Sequence, residues 1–127
     1  MQLTTTIKWA GHLCFMYFGR YSTGSISIKL KDIDNLDPMA EVTAGSLYLP
    51  LQNDQTLIKN YSENEGILNV LVDNKVVSSP IGYYQPDNAF VSFPIVHVSS
   101  SIVYQLDKNK KYGDLFGRQL KLENKMA

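Results

Sequence analysis

The sequence predicts an α+β fold in which a twisted antiparallel β-sheet of about five to seven strands packs against one main α-helix. Short segments rich in β-branched and aromatic residues, separated by turn residues, lie before residue 46 and after residue 74. Between them, one segment has apolar residues at helical spacing. Strands on both sides of a single helix are typical of an antiparallel sheet backed by that helix.

Three segments near the beginning of the chain have the pattern of strands. Residues 3–9, LTTTIKW, are rich in β-branched side chains. Residues 13–21, LCFMYFGRY, are apolar at both odd and even positions, which predicts a strand inside the sheet. Residues 25–33 alternate, which predicts an antiparallel strand with one face in solvent. Its inward face has Ile26, Ile28 and Leu30, and its outward face has Ser27, Lys29 and Lys31.

A loop and one more short strand complete the first half. Residues 32–38, DIDNLDP, have the composition of a loop. Residues 39–45 are predicted to form the strand. Because side chains alternate along a strand, Val42 is predicted to face inward, and Glu41 and Thr43 outward.

The helix is predicted at about residues 62–73. Ser62 followed by Glu65 fits a capping box, and Asn60 with Glu63 is an equally acceptable start. Asn74 can end the helix in the left-handed region. The apolar residues at helical spacing are Ile67, Val70 and Leu71, with Leu68 and Val72 beside them.

Two further strands are predicted after the helix, at residues 75–84 and 89–98. Pro94 has no backbone donor, so its strand is predicted to lie at a sheet edge or to contain a bulge. Residues 100–106, SSIVYQL, can form a last strand.

The chain of 127 residues fits one domain, which we place at residues 1–106. Residues 107–127 form a basic tail that is either a docked helix or partly disordered. The single cysteine, Cys14, cannot form an internal disulfide, which suits a reducing compartment such as the cytoplasm. No run approaches the roughly 20 apolar residues of a membrane helix, so no membrane partner is predicted.

Charge is balanced overall, with twelve basic and twelve acidic residues, but it is uneven along the chain. Residues 1–31 have four basic side chains and no acid, whereas residues 32–90 have nine acids and two lysines. The neutral total argues against general nucleic-acid binding, which needs a concentrated positive field. A local site for an anion is compatible with this distribution.

The motifs of common enzymes and metal sites are absent from the sequence. There is no G-x-S-x-G element and no phosphate-binding glycine loop, and residues 32–37 lack the glycine and glutamate of a calcium loop. His97 is interpreted as a partnered strand residue and Cys14 as a buried apolar residue. These absences favour a non-enzymatic protein without a cofactor or a metal.

The predicted helix start is the first candidate ligand site. Free N–H groups and partial positive charge at a helix start can hold an anion, and Lys59 adds a full charge. The contacts would come from Lys59, Asn60, Tyr61 and Ser62. Acidic side chains at positions 63 and 65 would repel phosphate, so a purely structural helix start is the alternative reading.

An aromatic platform is the second candidate. Arg20 and Tyr21 follow a strand, and Tyr83 and Tyr84 lie in a segment rich in glycine and proline. If these residues converge, they form a stacking surface with a matched charge for a nucleotide or a protein partner. Alternatively, one of the two consecutive tyrosines is a core residue and the other a surface residue.

Two segments resemble a family of small uncharacterised proteins, a domain of unknown function, found in phages and other mobile elements of bacteria. They are YFGRYSTGSISIKL, residues 17–30, and IKNYSENEGILNVLV, residues 58–72. The resemblance spans about residues 13–98 and depends most on residues 18–21 and 59–66. It transfers no active-site residues.

The resemblance implies a role in immune evasion in the bacterial host cytoplasm, since short phage proteins without enzyme motifs often neutralise host defence. Our leading hypothesis is a binding protein that sequesters a nucleotide-derived immune signal, as a monomer or a homo-oligomer. The alternative is a protein-surface inhibitor of a defence nuclease, which the acidic middle segment favours because it can mimic nucleic acid. A small phosphodiesterase acting on a nucleotide signal is the third hypothesis.

Overall fold

The computed structural model describes residues 1–46 and 49–113, which form eight strands, two α-helices and a short 3-10 turn. The strands make two antiparallel sheets of four strands each. This confirms the antiparallel α+β class, but with two sheets and two helices where the sequence predicted one of each. The strands are β1 (Gln2–Trp9), β2 (His12–Arg20), β3 (Ile26–Asp32), β4 (Pro38–Glu41), β5 (Thr43–Ala44), β6 (Gln55–Ile58), β7 (Gly82–Tyr84) and β8 (Phe93–His97), and the helices are α1 (Ile67–Asp73) and α2 (Ser100–Gly113).

The first sheet has the order β1-β2-β3-β4, so β2 is an internal strand as its pattern predicts. Its even-numbered side chains from position 14 to 18 are buried in the core, while Phe15 and Tyr17 lie on the opposite side and are half-buried. The alternation predicted for β3 is also confirmed. The sheet therefore has an inner face against the core and an outer face, which carries Phe15, Tyr17, Lys29 and Lys31.

The second sheet has the order β5-β6-β8-β7, and Pro94 lies in β8 between two neighbours. Both alternatives predicted for Pro94 are therefore wrong, because β8 is not an edge strand and its pairings with β6 and β7 have no register shift. Its missing donor is tolerated because the pairing of β8 with β6 runs only from Ile95 to His97.

The chain crosses from the first sheet to the second at Val42. The N–H of Val42 donates to Ile28 of β3 at 3.0 Å, and its carbonyl accepts from Lys59 at 2.8 Å. Alternation is broken here, so both Val42 and Thr43 are buried, and the outward orientation predicted for Thr43 is wrong. The Thr43 hydroxyl is satisfied inside the protein by the N–H of Ile28 at 3.0 Å.

Helix α1 begins five residues later than predicted, and the capping box is wrong. Neither Ser62 nor Glu65 caps it; instead the side-chain oxygen of Asn60 accepts from the N–H groups of Gly66 at 3.1 Å and Leu68 at 3.0 Å. Gly66 has φ +92°, a conformation that glycine adopts without strain, and this separates the 3-10 turn from α1.

The end of α1 also differs from the prediction. Asn74 has φ −90°, and the left-handed residue is Lys75, with φ +60°. The Asn74 side chain donates to the carbonyl of Val70 at 2.8 Å, so it satisfies a carbonyl of the last turn directly.

Residues 100–106 are helical, so the last predicted strand is wrong. They begin α2, which continues through residue 113 across the predicted boundary between domain and tail; the rest of that tail, residues 114–127, lies outside the described residues. Ile102, Val103 and Leu106 form one face of α2 and are buried. Neither helix in the described ranges is long and apolar enough to cross a membrane.

One core lies between the inner face of the first sheet, the two helices and the second sheet. Its fully buried side chains come from all of these elements, which makes the described part of the chain a single packing unit. Among the largest are Met16, Ile26, Ile28, Leu30, Ile58, Ile67, Leu71 and Val96.

Candidate functional site

Arg20 is held by internal contacts at the end of β2. Its Nη2 and Nε donate to Oδ1 of Asp107 on α2 at 3.0 and 3.3 Å. Its Nη1 donates to the carbonyls of Gly24 at 2.6 Å and Asn53 at 2.9 Å. With only 11% of its side chain exposed, Arg20 joins β2, α2 and the loop before β6. Four of the five N–H groups of the guanidinium therefore already have partners in the protein.

Tyr21 lies against Thr43 of the second sheet and against Gly45, the residue that follows β5. Its hydroxyl bonds the hydroxyl and carbonyl of Thr43 at 2.9 and 3.0 Å. Its ring packs on Gly45, where an added Cβ would lie 3.2 Å from the ring. A side chain at position 45 would displace this ring, so the glycine fixes the position of Tyr21.

Tyr61 and Tyr84 are brought together by Phe93. The rings of Tyr61 and Phe93 meet edge to face, with centroids 5.8 Å apart. Phe93 pairs with Tyr84 across β7 and β8, so these two side chains share one face of the second sheet. Tyr83 is on the other face, with 65% exposure. The two consecutive tyrosines therefore do not act together, and neither joins Arg20 or Tyr21.

The start of α1 has few groups left for an anion. Asn60 already occupies the N–H groups of Gly66 and Leu68. The carboxylate of Glu63 accepts from its own N–H and from the Ser62 hydroxyl, and these bonds, the first being stronger, lower the pKa of Glu63. An acidic group with a lowered pKa beside the helix start disfavours a phosphate there.

Lys59 instead extends toward the first sheet. Its Nζ lies 3.6 Å from Oε1 of Glu41 on β4, and the Nζ of Lys29 on β3 lies 3.8 Å from Oε2 of the same carboxylate. Glu41 thus lies between two ammonium groups, one from β3 and one from the residue that follows β6. Its side chain is 62% exposed, so solutes can reach this group of charges.

An open groove of about 470 Å³ runs beside this carboxylate, and we call it the basic groove. It lies where the pairing of β3 with edge strand β4 shifts between Leu30 and Lys31. Its volume is in the range of small-molecule sites. It is lined by Lys29, Leu30, Lys31, Pro38, Met39, Ala40 and Glu41.

Tyr17 provides an aromatic surface next to the groove. Tyr17 pairs with Lys29 across β2 and β3, and the Nζ of Lys31 lies 4.6 Å from the centre of the Tyr17 ring. The hydroxyl of Tyr17 donates to Gln2 at 2.9 Å, which fixes the ring. Lysine ammonium groups and a fixed aromatic ring can together bind a phosphate and stack a base.

Both histidines form hydrogen bonds with carboxylates, and neither is among the residues that line the groove. His12 contacts Asp32 and His97 contacts Asp54, each at 2.9 Å, so the prediction that His97 is partnered is confirmed. The N–H of Asp34 is the main cause that lowers the pKa of Asp32; burial opposes it, and the His12 bond lowers it further. The first pair joins β2 to β3, and the second joins β8 to the loop before β6.

Cys14 is fully buried on the inner face of β2, as predicted. Burial raises the pKa of its thiol, and the charge of Asp32 raises it further. The thiol therefore stays protonated and is a poor nucleophile. Within the described ranges, no group of three or more His, Cys, Asp or Glu side chains could hold a metal ion.

Of the predicted contacts, only Lys59 belongs to the group of charges at the basic groove. Sequence reasoning missed Tyr17, Lys29, Lys31 and Glu41 as site residues. The sequence does indicate that the two lysines of β3 face outward, because they alternate with its apolar residues. Their convergence with Tyr17 and Glu41 depends on strand register, which the pattern does not contain.

Comparison of the chain with protein-family models, curated proteins and solved structures finds no match.

Proposed function

We propose that this protein is a non-enzymatic binding protein of the phage anti-defence type, and that it sequesters a nucleotide-derived signal at the basic groove. The observation that carries the proposal is the Glu41 carboxylate held between Lys29 and Lys59, beside the Tyr17 ring. This arrangement supplies what a nucleotide needs, which is positive charge for its phosphate and an aromatic surface for its base.

The phosphate would take the place of Glu41. Its carboxylate has one negative charge at distances of 3.6 and 3.8 Å from two ammonium groups, and such long, exposed ion pairs contribute little to stability. A terminal phosphate has more charge than the carboxylate and three acceptor oxygens, and a bridging phosphate has the same charge with two free oxygens, so either can engage both lysines at once. Glu41 can turn into solvent when it is displaced because it is well exposed.

The base would stack on Tyr17. Lys31 covers this ring through a cation–π contact, which at exposed sites is worth only about 0.5–1 kcal/mol. A base stacked on the ring replaces this contact with a more favourable one, because base–aromatic stacking contributes about 1–3 kcal/mol. The displaced ammonium group is then free to reach the phosphate, so little is lost.

Storage is favoured over turnover because the groove has few groups for chemistry. Its lining residues include one carboxylate and no histidine, cysteine, serine or threonine. Hydrolysis of a phosphodiester generally needs a positioned acid–base pair, an activated nucleophile or a metal. The phosphodiesterase alternative therefore has the weaker support.

Calorimetry with a panel of mononucleotides, cyclic dinucleotides and ADP-ribose-type compounds tests the proposal. We expect saturable binding by the wild-type protein and a loss of about 5- to 30-fold for Lys29→Ala and Lys59→Ala, typical of one charge-assisted contact. Lys108→Ala on α2 is the matched control, since it also removes one exposed lysine. Mass spectrometry should recover the bound compound intact. Absence of binding to every compound by the folded protein would refute the proposal.

A protein-surface inhibitor of a defence nuclease is the second candidate, and one surface favours it. Phe90 is wholly exposed, and Ile81 and Tyr83, beside and in edge strand β7, are 53% and 65% exposed. Exposed aromatic residues near an edge strand are common at protein interfaces. A stable complex with a host nuclease that is lost in Phe90→Ala but retained in Lys29→Ala would favour this candidate.

A further inference from the structure

The outer face of the first sheet has two aromatic side chains in a row on β2. Phe15 and Tyr17 are two positions apart, so along the strand they are separated by about 6.8 Å. Both point away from the core, and both are half-buried by their neighbours on the sheet. Only Tyr17 is used by the proposed function, so Phe15 is an aromatic surface residue without an assigned role.

Lysines border both rings directly on the β3 side. Lys31 and Lys29 of β3 pair with Phe15 and Tyr17, respectively. On the β1 side Phe15 pairs with Thr6 and Tyr17 with Gln2, and Lys8 pairs with Leu13, which is two positions from Phe15 on the same face of β2. Among the described side chains of this face, Glu41 at the far edge is the one acid. Positive charge thus extends along the whole aromatic row.

We propose that the ligand carries two bases joined by a phosphodiester, with one base on Tyr17 and the second on Phe15. This inference rests on the proposed function and extends it from a nucleotide to a dinucleotide. Four-stranded sheets that bind single-stranded nucleic acid stack two or three bases on aromatic side chains in this way. The lysines would contact two phosphates, which are one bridging and one terminal in a linear dinucleotide and both bridging in a cyclic one.

Charge complementarity selects this ligand over a second copy of the chain. A symmetric contact would place each lysine row against another, and like charges face to face disfavour association. An uncharged apolar partner would bury the ammonium groups of Lys8, Lys29 and Lys31 without a counter-charge, which is costly. An anion with flat bases satisfies both the charges and the rings.

The test compares adenosine monophosphate, the linear dinucleotide pApA, which keeps the terminal phosphate of the mononucleotide and adds one phosphodiester and one base, and cyclic di-adenosine monophosphate, by calorimetry with the intact protein. We expect at least one dinucleotide to bind between about 5-fold and 150-fold more tightly than the mononucleotide, the gain from one stacked base. Comparison of the linear with the cyclic compound shows whether the site prefers a linear or a cyclic dinucleotide, since both supply two bases joined by a phosphodiester.

Two variants locate the second base. Phe15→Leu retains an apolar side chain but removes the aromatic ring, and Lys8→Ala removes an exposed charge beside it. Both should reduce the advantage of the dinucleotide while leaving the affinity for the mononucleotide unchanged. Tyr17→Leu should weaken all three ligands. Tyr104→Ala, which removes an aromatic ring that is 69% exposed on α2, should change none.

The outcomes separate this inference from the function on which it rests. If the mononucleotide binds and neither dinucleotide binds more tightly, the two-base inference is overturned and the proposed function stands. An equal loss for mononucleotide and dinucleotides in Lys8→Ala would also overturn it, even if Phe15→Leu failed to fold. If none of the three compounds binds but ADP-ribose does, the two-base inference is overturned and the proposed function stands. If no compound of the larger panel binds, the two-base inference and the proposed function are both overturned.

Discussion

The start of α1 depends on the side chain of Asn60, and its replacement by alanine tests this directly. One oxygen accepts two N–H groups, those of Gly66 and Leu68, at 3.1 and 3.0 Å. Alanine removes this acceptor and leaves both donors without a protein partner. The helix that follows inserts Ile67 and Leu71 into the core, so its first turn cannot unfold without a cost in packing.

The expected loss of stability in Asn60→Ala follows from the number of hydrogen bonds that are removed and from how well water can replace them. A hydrogen bond contributes about 0.5–1.5 kcal/mol net, and the loss of a helix-capping side chain costs about 0.5–2 kcal/mol. Asn60 is half-buried, so water can replace only part of what is lost. We therefore expect Asn60→Ala to lower the free energy of unfolding by about 1–3 kcal/mol.

Urea unfolding followed by circular dichroism provides the measurement. Asn60→Asp retains an acceptor oxygen at the same place and should recover most of the stability. Ser62→Ala is the decisive comparison, because Ser62 would be the helix cap if the sequence pattern were correct. We expect it to change the free energy of unfolding by less than about 0.5 kcal/mol. A larger loss in Ser62→Ala than in Asn60→Ala would refute the assignment of the cap.

Three further changes have defined outcomes. Arg20→Ala should lower the free energy of unfolding in urea by at least about 2 kcal/mol, because it removes hydrogen bonds to a carboxylate and two carbonyls. Lysine lacks the planar guanidinium that makes these bonds together, so recovery of stability in Arg20→Lys would contradict this explanation. The pKa of Asp32 is lowered in the folded state. The ionised carboxylate therefore stabilises the fold at pH values above its ordinary pKa of about 3.9, and this stabilisation is lost as the pH falls through the lower pKa of the folded state. The stability difference between wild type and Asp32→Asn should therefore shrink below about pH 4 in acid titrations, and a constant difference would argue against the assignment. Glu41→Gln should tighten binding of a mononucleotide in calorimetry, because it removes the competing carboxylate; weaker binding would mean that Glu41 positions the lysines.

The sequence patterns predicted elements whose structure depends on local alternation, and failed where distant contacts decide. The inward and outward faces of β3 follow from its period of two, and the structure confirms them. Residues 100–106 contain adjacent β-branched residues, which favour a strand, yet Ile102, Val103 and Leu106 fit one face of a helix as well. Burial against the core favours the helix, because all three side chains are then enclosed. Propensity alone could not make this choice.

The predicted helix start failed for a related reason. Ser62 and Glu65 have the spacing of a capping box, but Gly66 adopts a left-handed conformation and interrupts the helix between them and α1. Asn60 lies six positions before Gly66 and caps α1 across the intervening 3-10 turn. Capping rules assume a continuous first turn, so they do not anticipate a cap at this separation.

The candidate site was beyond prediction for a different reason, which is that it depends on the register of three strands. Lys29 lies beside Tyr17 only because β2 and β3 pair in one particular register, and a shift of one residue would turn the lysine to the core. Glu41 reaches Lys59 because the chain changes sheets at Val42. Hydrophobic alternation states which side chains face outward. It does not state which outward side chains of different strands are neighbours.

The uneven charge along the chain explains how a neutral protein can present a basic surface. The first 31 residues have four basic side chains and no acid, and they form three adjacent antiparallel strands and the turns between them. Because adjacent strands keep neighbouring segments side by side, charge segregated in sequence becomes charge segregated in space. Arg20 is the exception and is enclosed by its own partners, so the remaining lysines, Lys8, Lys29 and Lys31, define the outer face. Of the acids of the middle segment, Glu41 contacts Lys29 at the edge of this face. A small anion therefore meets a local positive field that the net charge of the protein conceals.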